Sequence, residues 1–160
     1  EFYSQMPFLK KKFRSYAEIA EADIITMFGN DAIQTSKVFE ISEFASIVLK
    51  NNNGIFEKIY LPHEAQYSSI FTFMTQTIKN KGTNIYMGGN HYKVKPQFGK
   101  QDASLGWLIN VRSEQEKLIF APCKTLNVEG QMRYLGLMND QVVFGINNES
   151  LKMCNIGQYD

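Results

Sequence analysis

The chain has 160 residues, 44% of them hydrophobic and 13% aromatic, which excludes a disordered segment and suits one globular domain spanning 1–160. A formal net charge of +1 excludes a whole-molecule field of the kind that draws nucleic acid or a membrane surface, so any such contact has to be local. Cys123 and Cys154 form no CxxC pair, and with only two histidines no metal set is assembled, so a reducing compartment and no metal or cofactor are expected.

The first residue is not Met, and the chain reads as excised from a longer protein, with Glu1–Phe2 a cloning remnant. "FLKKKFRSYAEIAEADIITMF" opens on a basic cluster, Lys10, Lys11, Lys12 and Arg14, and continues as an acidic and apolar mix suited to a short helix. "SKVFEISEFASIVLK" is rich in β-branched and aromatic residues and reads as strand; "NNNG" is a turn signal and "IFEKIYL" a second strand, which Pro62 ends.

In "HEAQYSSIFTFMTQTIKNKG" the apolar residues Tyr67, Ile70, Phe71, Met74 and Ile78 recur at steps of three and four, which predicts an amphipathic helix near 64–81 that buries Phe71 and Met74. "TNIYMGG" reads as a strand leading into the polar loop "GGNHYKVKPQFGK". A second helix is expected from Asp102 to Glu116 with Leu105, Leu108 and Ile109 as its buried stripe, and Trp107, roughly 200° around from Leu105, pointing away. "KLIFAP", "MRYLGLM" and "QVVFGI" read as strands. The expected fold is α+β, a mixed, mainly antiparallel sheet with a β-hairpin, packed against two or more helices. The apolar runs fall far short of a membrane span, so no membrane is expected among its partners.

Little in the chain points to catalysis. His63 and Glu64 are adjacent at a helix start, where the acid suits the helix dipole better than a general-base role. No nucleophile elbow, phosphate-binding glycine loop or zinc motif is present. The loop after "TNIYM" interleaves His91, Tyr92 and Phe98 with Lys93, Lys95 and Lys100, the mixture of ring faces and cations that single-stranded RNA asks for. Two readings stand for it: an RNA or nucleotide contact, and a solvated loop whose aromatics fold back on the core. Trp107 divides in the same way between packing and stacking on a ligand.

From "SEFASIVLK" through "HEAQYSSIFTFMTQTI", the Gly-Asn loop, "SLGWLIN", "KLIFAP" and "YLGLMND", the order and spacing of segments over about Phe44–Asp140 resemble the cap-binding domain of the basic, cap-snatching subunit of an influenza-like (orthomyxovirus) polymerase, of the thogotovirus type. That resemblance implies a non-catalytic domain that holds the 7-methylguanosine cap of a host transcript between two aromatic rings, with an acid and a lysine reading the guanine edge. Lys50 falls where the lysine is expected. Ile78 stands where one ring belongs, and the partner ring falls in Asn30–Ser36, which has none unless Phe28 or Phe39 slips into place. Asp31 is the available acid, and Ala103 and Gly106 occupy phosphate-side positions without side-chain donors.

The resemblance therefore implies a cap-binding-like domain whose pocket is degraded and whose cap affinity is weak or lost, with Trp107 as a relocated platform. Its implied partners are the other subunits and domains of the viral polymerase and, weakly, capped or uncapped RNA; its implied location is the virion and the host nucleus, and the isolated domain is expected to be monomeric. The rival reading is a single-stranded RNA-binding or protein-interaction module within the polymerase.

Overall fold

The computed structural model describes residues 2–155. The expected single domain resolves into two compact units that divide between Glu43 and Phe44.

The first unit is a run of short helices, α1 (Phe2–Gln5), α2 (Leu9–Lys12), α3 (Tyr16–Glu21), α4 (Ile24–Phe28) and α5 (Asn30–Thr35). Local capping explains where α3 and α4 start. Ser15 and Glu18 form a capping box, the Glu18 N–H donating to Ser15 Oγ at 3.2 Å and the Ser15 N–H to Glu18 Oε2 at 3.3 Å. Asp23 Oδ1 accepts from the Thr26 N–H at 2.6 Å at the head of α4. Hydrogen bonds from Thr26 hold the Asp23 carboxyl below its ordinary range. Residues 37–46, the first part of the expected strand "SKVFEISEFASIVLK", have no regular structure; the strand begins only at Ile47.

The second unit is built of strands. β1 (Ile47–Asn52) and β2 (Ile55–Tyr60) form the expected hairpin, in register from Ile47↔Tyr60 to Asn52↔Ile55. Asn53 (φ 53°) and Gly54 (φ 94°) both take the left-handed conformation that a two-residue hairpin turn needs, which is why the Asn-Gly pair signals it. A short 3₁₀ turn, His63–Gln66, follows. β3 (Ile70–Ile78), β4 (Gly82–Gly89), β5 (Trp107–Glu114) and β6 (Lys117–Phe120) then form an antiparallel sheet in that order, with β7 (Lys124–Thr125) pairing with the start of β5. β8 (Met132–Met138), β9 (Gln141–Ile146) and β10 (Lys152–Asn155) form a three-stranded antiparallel sheet with β9 central.

The α+β class and the hairpin are as expected, but both long helices are corrected: 70–78 and 107–114 are strands. The reason lies in the spacing. Ile70, Met74 and Ile78 are four apart, and a step of four puts residues on one face of a strand as well as of a helix. The intervening threonines, 72, 75 and 77, favour the extended form. Phe71 is accordingly not buried, at 48% exposed, while Met74 packs half-buried against the core. In β5 the expected stripe splits. Leu108 and Ile109 are both buried, but on opposite faces, and Leu105 precedes the strand, half-buried.

The central sheet is covered on both faces where β4 and β5 meet, so Ile85–Met87 and Trp107–Ile109 are consecutive apolar residues rather than alternating ones. On one face Tyr86 and Leu108 pack against Met132, Leu135, Val142 and Phe144 of the second sheet. On the other, Met87 and Ile109 pack with Leu61 and Ala65, joined by Val48 of the hairpin and by Trp107. Each large side chain fully buried in this way contributes roughly 1.5–3 kcal/mol.

The end of β4 is pinned by Asn90, which is 1% exposed. Its Nδ2 donates to the carbonyls of Ser104 (2.7 Å) and Gly130 (3.1 Å), and its Oδ1 accepts from the Ser104 N–H (3.0 Å). Gly89, just before it, lies so close to the Ser69 carbonyl that no Cβ fits.

Candidate nucleic-acid interface

β3 opens with an irregularity in its pairing to β4 between Ile70 and Thr72, and Phe71 sits at that bulge with its ring half in solvent. Across from it, β8 has its own irregularity between Met132 and Tyr134, and Arg133 sits there. The Arg133 guanidinium lies 4.0 Å over the centre of the Phe71 ring. It is held in place by donating to the Met132 carbonyl (2.8 Å) and to Gln131 Oε1 (3.2 Å). The His91 ring meets Phe71 edge-on, with centroids 5.8 Å apart at 68°.

The same Gln131 oxygen accepts from the Tyr92 N–H at 3.1 Å, tying β8 to the loop after β4. His91 and Gln101 pair through their backbones in both directions, at 2.8 and 3.0 Å, so the loop closes on itself at its base. Lys100 places its ammonium 4.0 Å from the centre of the Tyr92 ring and lies 3.6 Å from the Asp102 carboxylate. Phe71, His91, Tyr92, Lys100 and Arg133 thus form one surface in which two cations each stand over a ring.

Other expected residues fall elsewhere. Phe98 projects from a 3₁₀ turn, Pro96–Phe98, and is exposed, as are Lys93 and Lys95. Trp107 is half-buried and packs edge-on against Tyr67 at 6.0 Å, within the cluster on the hairpin side of the sheet; Tyr67 in turn meets His63 at 5.1 Å. Lys50 donates from its ammonium to the Glu116 carbonyl in the β5–β6 turn. Ile78 ends β3 and lines a cavity with Asn84 and Arg112. Ala103 is exposed before β5, and Gly106 is buried beside Met132 and Leu126.

Lys50, at the Glu116 end of β5, and Gly106, at its start, are therefore not brought together: the eight residues of β5 span about 26 Å. Phe28, Asp31 and Phe39 belong to the first unit. Among the described residues no three His, Cys, Asp or Glu side chains converge on a point where a metal ion would sit, and no helix is long and apolar enough to cross a membrane.

Sequence reasoning missed Phe71, Gln131 and Arg133. Phe71 reads from its spacing as part of a helix core, and "GQMRY" carries no signal of its own because its role depends on pairing across some forty residues. What the surface offers chemically is a planar guanidinium stacked on a phenyl ring, a second ring edge beside it and a further cation nearby, which suits a nucleobase and its phosphate. Compared with protein-family models, with curated proteins and with solved structures, the chain matches none.

Proposed function

We propose that this chain is a non-catalytic module that binds single-stranded RNA weakly, on the surface made by Phe71, His91, Tyr92, Lys100 and Arg133. The observation that carries the reading is the Arg133 guanidinium stacked on the half-exposed Phe71 ring. A base laid on the outer face of that guanidinium gains stacking and cation attraction, and Lys100 stands ready for a phosphate. On the order and spacing of its segments we assign the module to the basic subunit of a cap-snatching, orthomyxovirus-type polymerase, acting in viral transcription in the host nucleus. The stretches near 64–81 and 102–116, which enter that resemblance as helices, are strands, so the assignment rests on chain order alone. The cap pocket itself is degraded in this reading: Lys50 is taken up by the Glu116 carbonyl, and no ring flanks it among its cavity neighbours, Asn51–Asn53, Ser113 and Glu116.

Fluorescence anisotropy with a labelled, uncapped ten-nucleotide RNA tests the proposal. Binding is expected at low salt, falling as salt rises, and Arg133→Ala or Phe71→Ala should weaken it by about tenfold, the lower end of one base stack. A 7-methyl group on a capped oligonucleotide should make no difference. RNA affinity that both variants leave untouched would remove this surface from consideration.

A second reading is favoured by one feature, the outer face of the hairpin, where Leu49, Phe56 and Tyr60 share one side of the two strands and are all exposed. Such a face suits a protein partner within a larger assembly. Phe56→Ser should leave RNA binding unchanged and lower recovery of the chain with polymerase partners.

A further inference from the structure

The proposed RNA surface is made of two halves that come from different parts of the chain. Phe71 of β3 and Arg133 of β8 form one, and Tyr92 and Lys100, from the loop after β4, form the other. A single atom touches both. Gln131 Oε1 accepts from the Tyr92 N–H at 3.1 Å and from Arg133 Nη2 at 3.2 Å, which engages both lone pairs of that oxygen. Gln131 is 6% exposed, so the bridge is shielded from the water that would compete for it.

The backbone on either side of the bridge is fixed. The Gln131 carbonyl accepts from the Asn147 N–H at 3.0 Å, and the Gly130 carbonyl before it accepts from Asn90 Nδ2 at 3.1 Å. Asn90 and Tyr92 thus fasten the start of the loop to Gly130 and Gln131, while His91, between them, turns its ring to Phe71. Arg133 has no such anchor along its length, and among the described residues no carboxylate pairs with it. Holding a long charged side chain in one rotamer costs conformational entropy. Two hydrogen bonds to fixed oxygens, the Met132 carbonyl and Gln131 Oε1, select the rotamer that lies over Phe71.

We infer that Gln131 is a positioning residue that couples the two ring–cation pairs into one site for two neighbouring unpaired nucleotides of an RNA strand. The inference rests on the RNA reading above and adds to it the residue that makes the halves act together. Gln131 touches neither base nor phosphate. Its amide sets Arg133 relative to the Tyr92 backbone before RNA arrives, so a strand that lays one base on the guanidinium meets the Tyr92–Lys100 pair already in place for its next nucleotide. Loss of one half then removes part of what the other contributes, which is the mark of coupled contacts. Without the bridge, Arg133 keeps its charge and Tyr92 its ring, but the two act as independent contacts.

The test is a double-mutant cycle in the full chain, read by fluorescence anisotropy with the uncapped ten-nucleotide RNA. Arg133→Ala and Lys100→Ala are each expected to weaken binding by about tenfold, and the double variant by about thirtyfold rather than the roughly hundredfold that independent contacts give. In a Gln131→Met background, which removes the acceptor oxygen at similar side-chain length, the two losses should multiply. Gln131→Glu keeps an acceptor oxygen and should preserve the coupling even though its charge lowers affinity throughout, and it carries the test if Gln131→Met does not fold. Losses that multiply with Gln131 present, coupling that survives Gln131→Met, or coupling that Gln131→Glu abolishes overturns this inference and leaves the RNA surface standing. Single variants that bind RNA as the wild type does remove the surface itself, and the positioning role with it. The Tyr92 amide proton gives a readout without RNA: its exchange with solvent should quicken in Gln131→Met, and an amide still protected there would show that the bridge does not hold the loop.

Discussion

Asn90 joins three segments through one side chain, and nothing apolar of similar size replaces what it does. Asn90→Ala would leave the Ser104 N–H and carbonyl unpaired in a buried site, each at roughly 1–3 kcal/mol, and would cost the Gly130 carbonyl one of its two donors, the Met132 N–H remaining, while asking alanine to hold a φ of 77°. A loss of more than about 3 kcal/mol in denaturant-measured stability is expected; a loss under 1 would mean that water replaces the amide. Cys123 gives a second residue-scale expectation. Burial against the hairpin-side cluster pushes its thiol from an ordinary 9.0 up to about 11, and the charge of Glu64 adds to the effect. A pKa raised by folding means that the folded state keeps its proton where the unfolded chain has lost it. The contribution to stability is therefore complete below pH 9 and disappears as pH climbs toward 11. Wild-type protein should lose more stability than Cys123→Ala across that window, and alkylation of Cys123 should stay slow at pH 9. Equal losses in the two proteins would contradict the shift.

Among the elements, the β5–β6 hairpin is the weakest in its own sequence. Its turn residues, Gln115 (φ 48°) and Glu116 (φ 66°), both adopt the left-handed conformation without being Gly or Asn. Lys50, reaching from β1 to the Glu116 carbonyl, holds this turn from outside. Glu116→Gly relieves one strained position and keeps the carbonyl, so a gain of about 1 kcal/mol is expected, whereas Lys50→Met should loosen the turn and speed amide exchange there. Unchanged exchange in Lys50→Met would show that the ammonium contributes nothing to the turn. The same scale explains what was legible in the sequence. The Asn-Gly hairpin, "TNIYMGG", "KLIFAP", "MRYLGLM" and "QVVFGI" were readable because turn residues and β-branched runs are local signals. β3 and β5 were not: one has apolar residues at a spacing shared by strand and helix, and the other is buried on both faces and shows no alternation. His91, Tyr92 and Lys100 could be picked out from a single loop, but Arg133 and Gln131 join them only through tertiary pairing.

For the whole molecule, the division between Glu43 and Phe44 has a physical basis in where the buried apolar contacts lie. Residues 37–46 carry no regular structure, and Val38, Phe39, Ile41 and Phe44 are exposed although all four are strongly apolar. The buried members of both core clusters lie between Leu61 and Ile146, with Val48 of the hairpin and Cys154 of β10 packed against them. A chain starting at Phe44 therefore contains every member of both cores and every residue of the proposed RNA surface. It is expected to express as a folded protein with strand-dominated circular dichroism and to unfold in one cooperative step. It should also retain the RNA affinity of the full chain within about twofold, since base stacking and phosphate contact are local terms. Limited proteolysis of the full chain should cut first between 37 and 46, where the backbone lies outside any helix or strand. A truncated chain that aggregates or shows no sharp transition would mean that the first unit completes the fold of the second. Normal folding with RNA binding lost would instead mean that the basic cluster of Lys10, Lys11, Lys12 and Arg14 supplies phosphate contacts that the Phe71–Arg133 surface lacks.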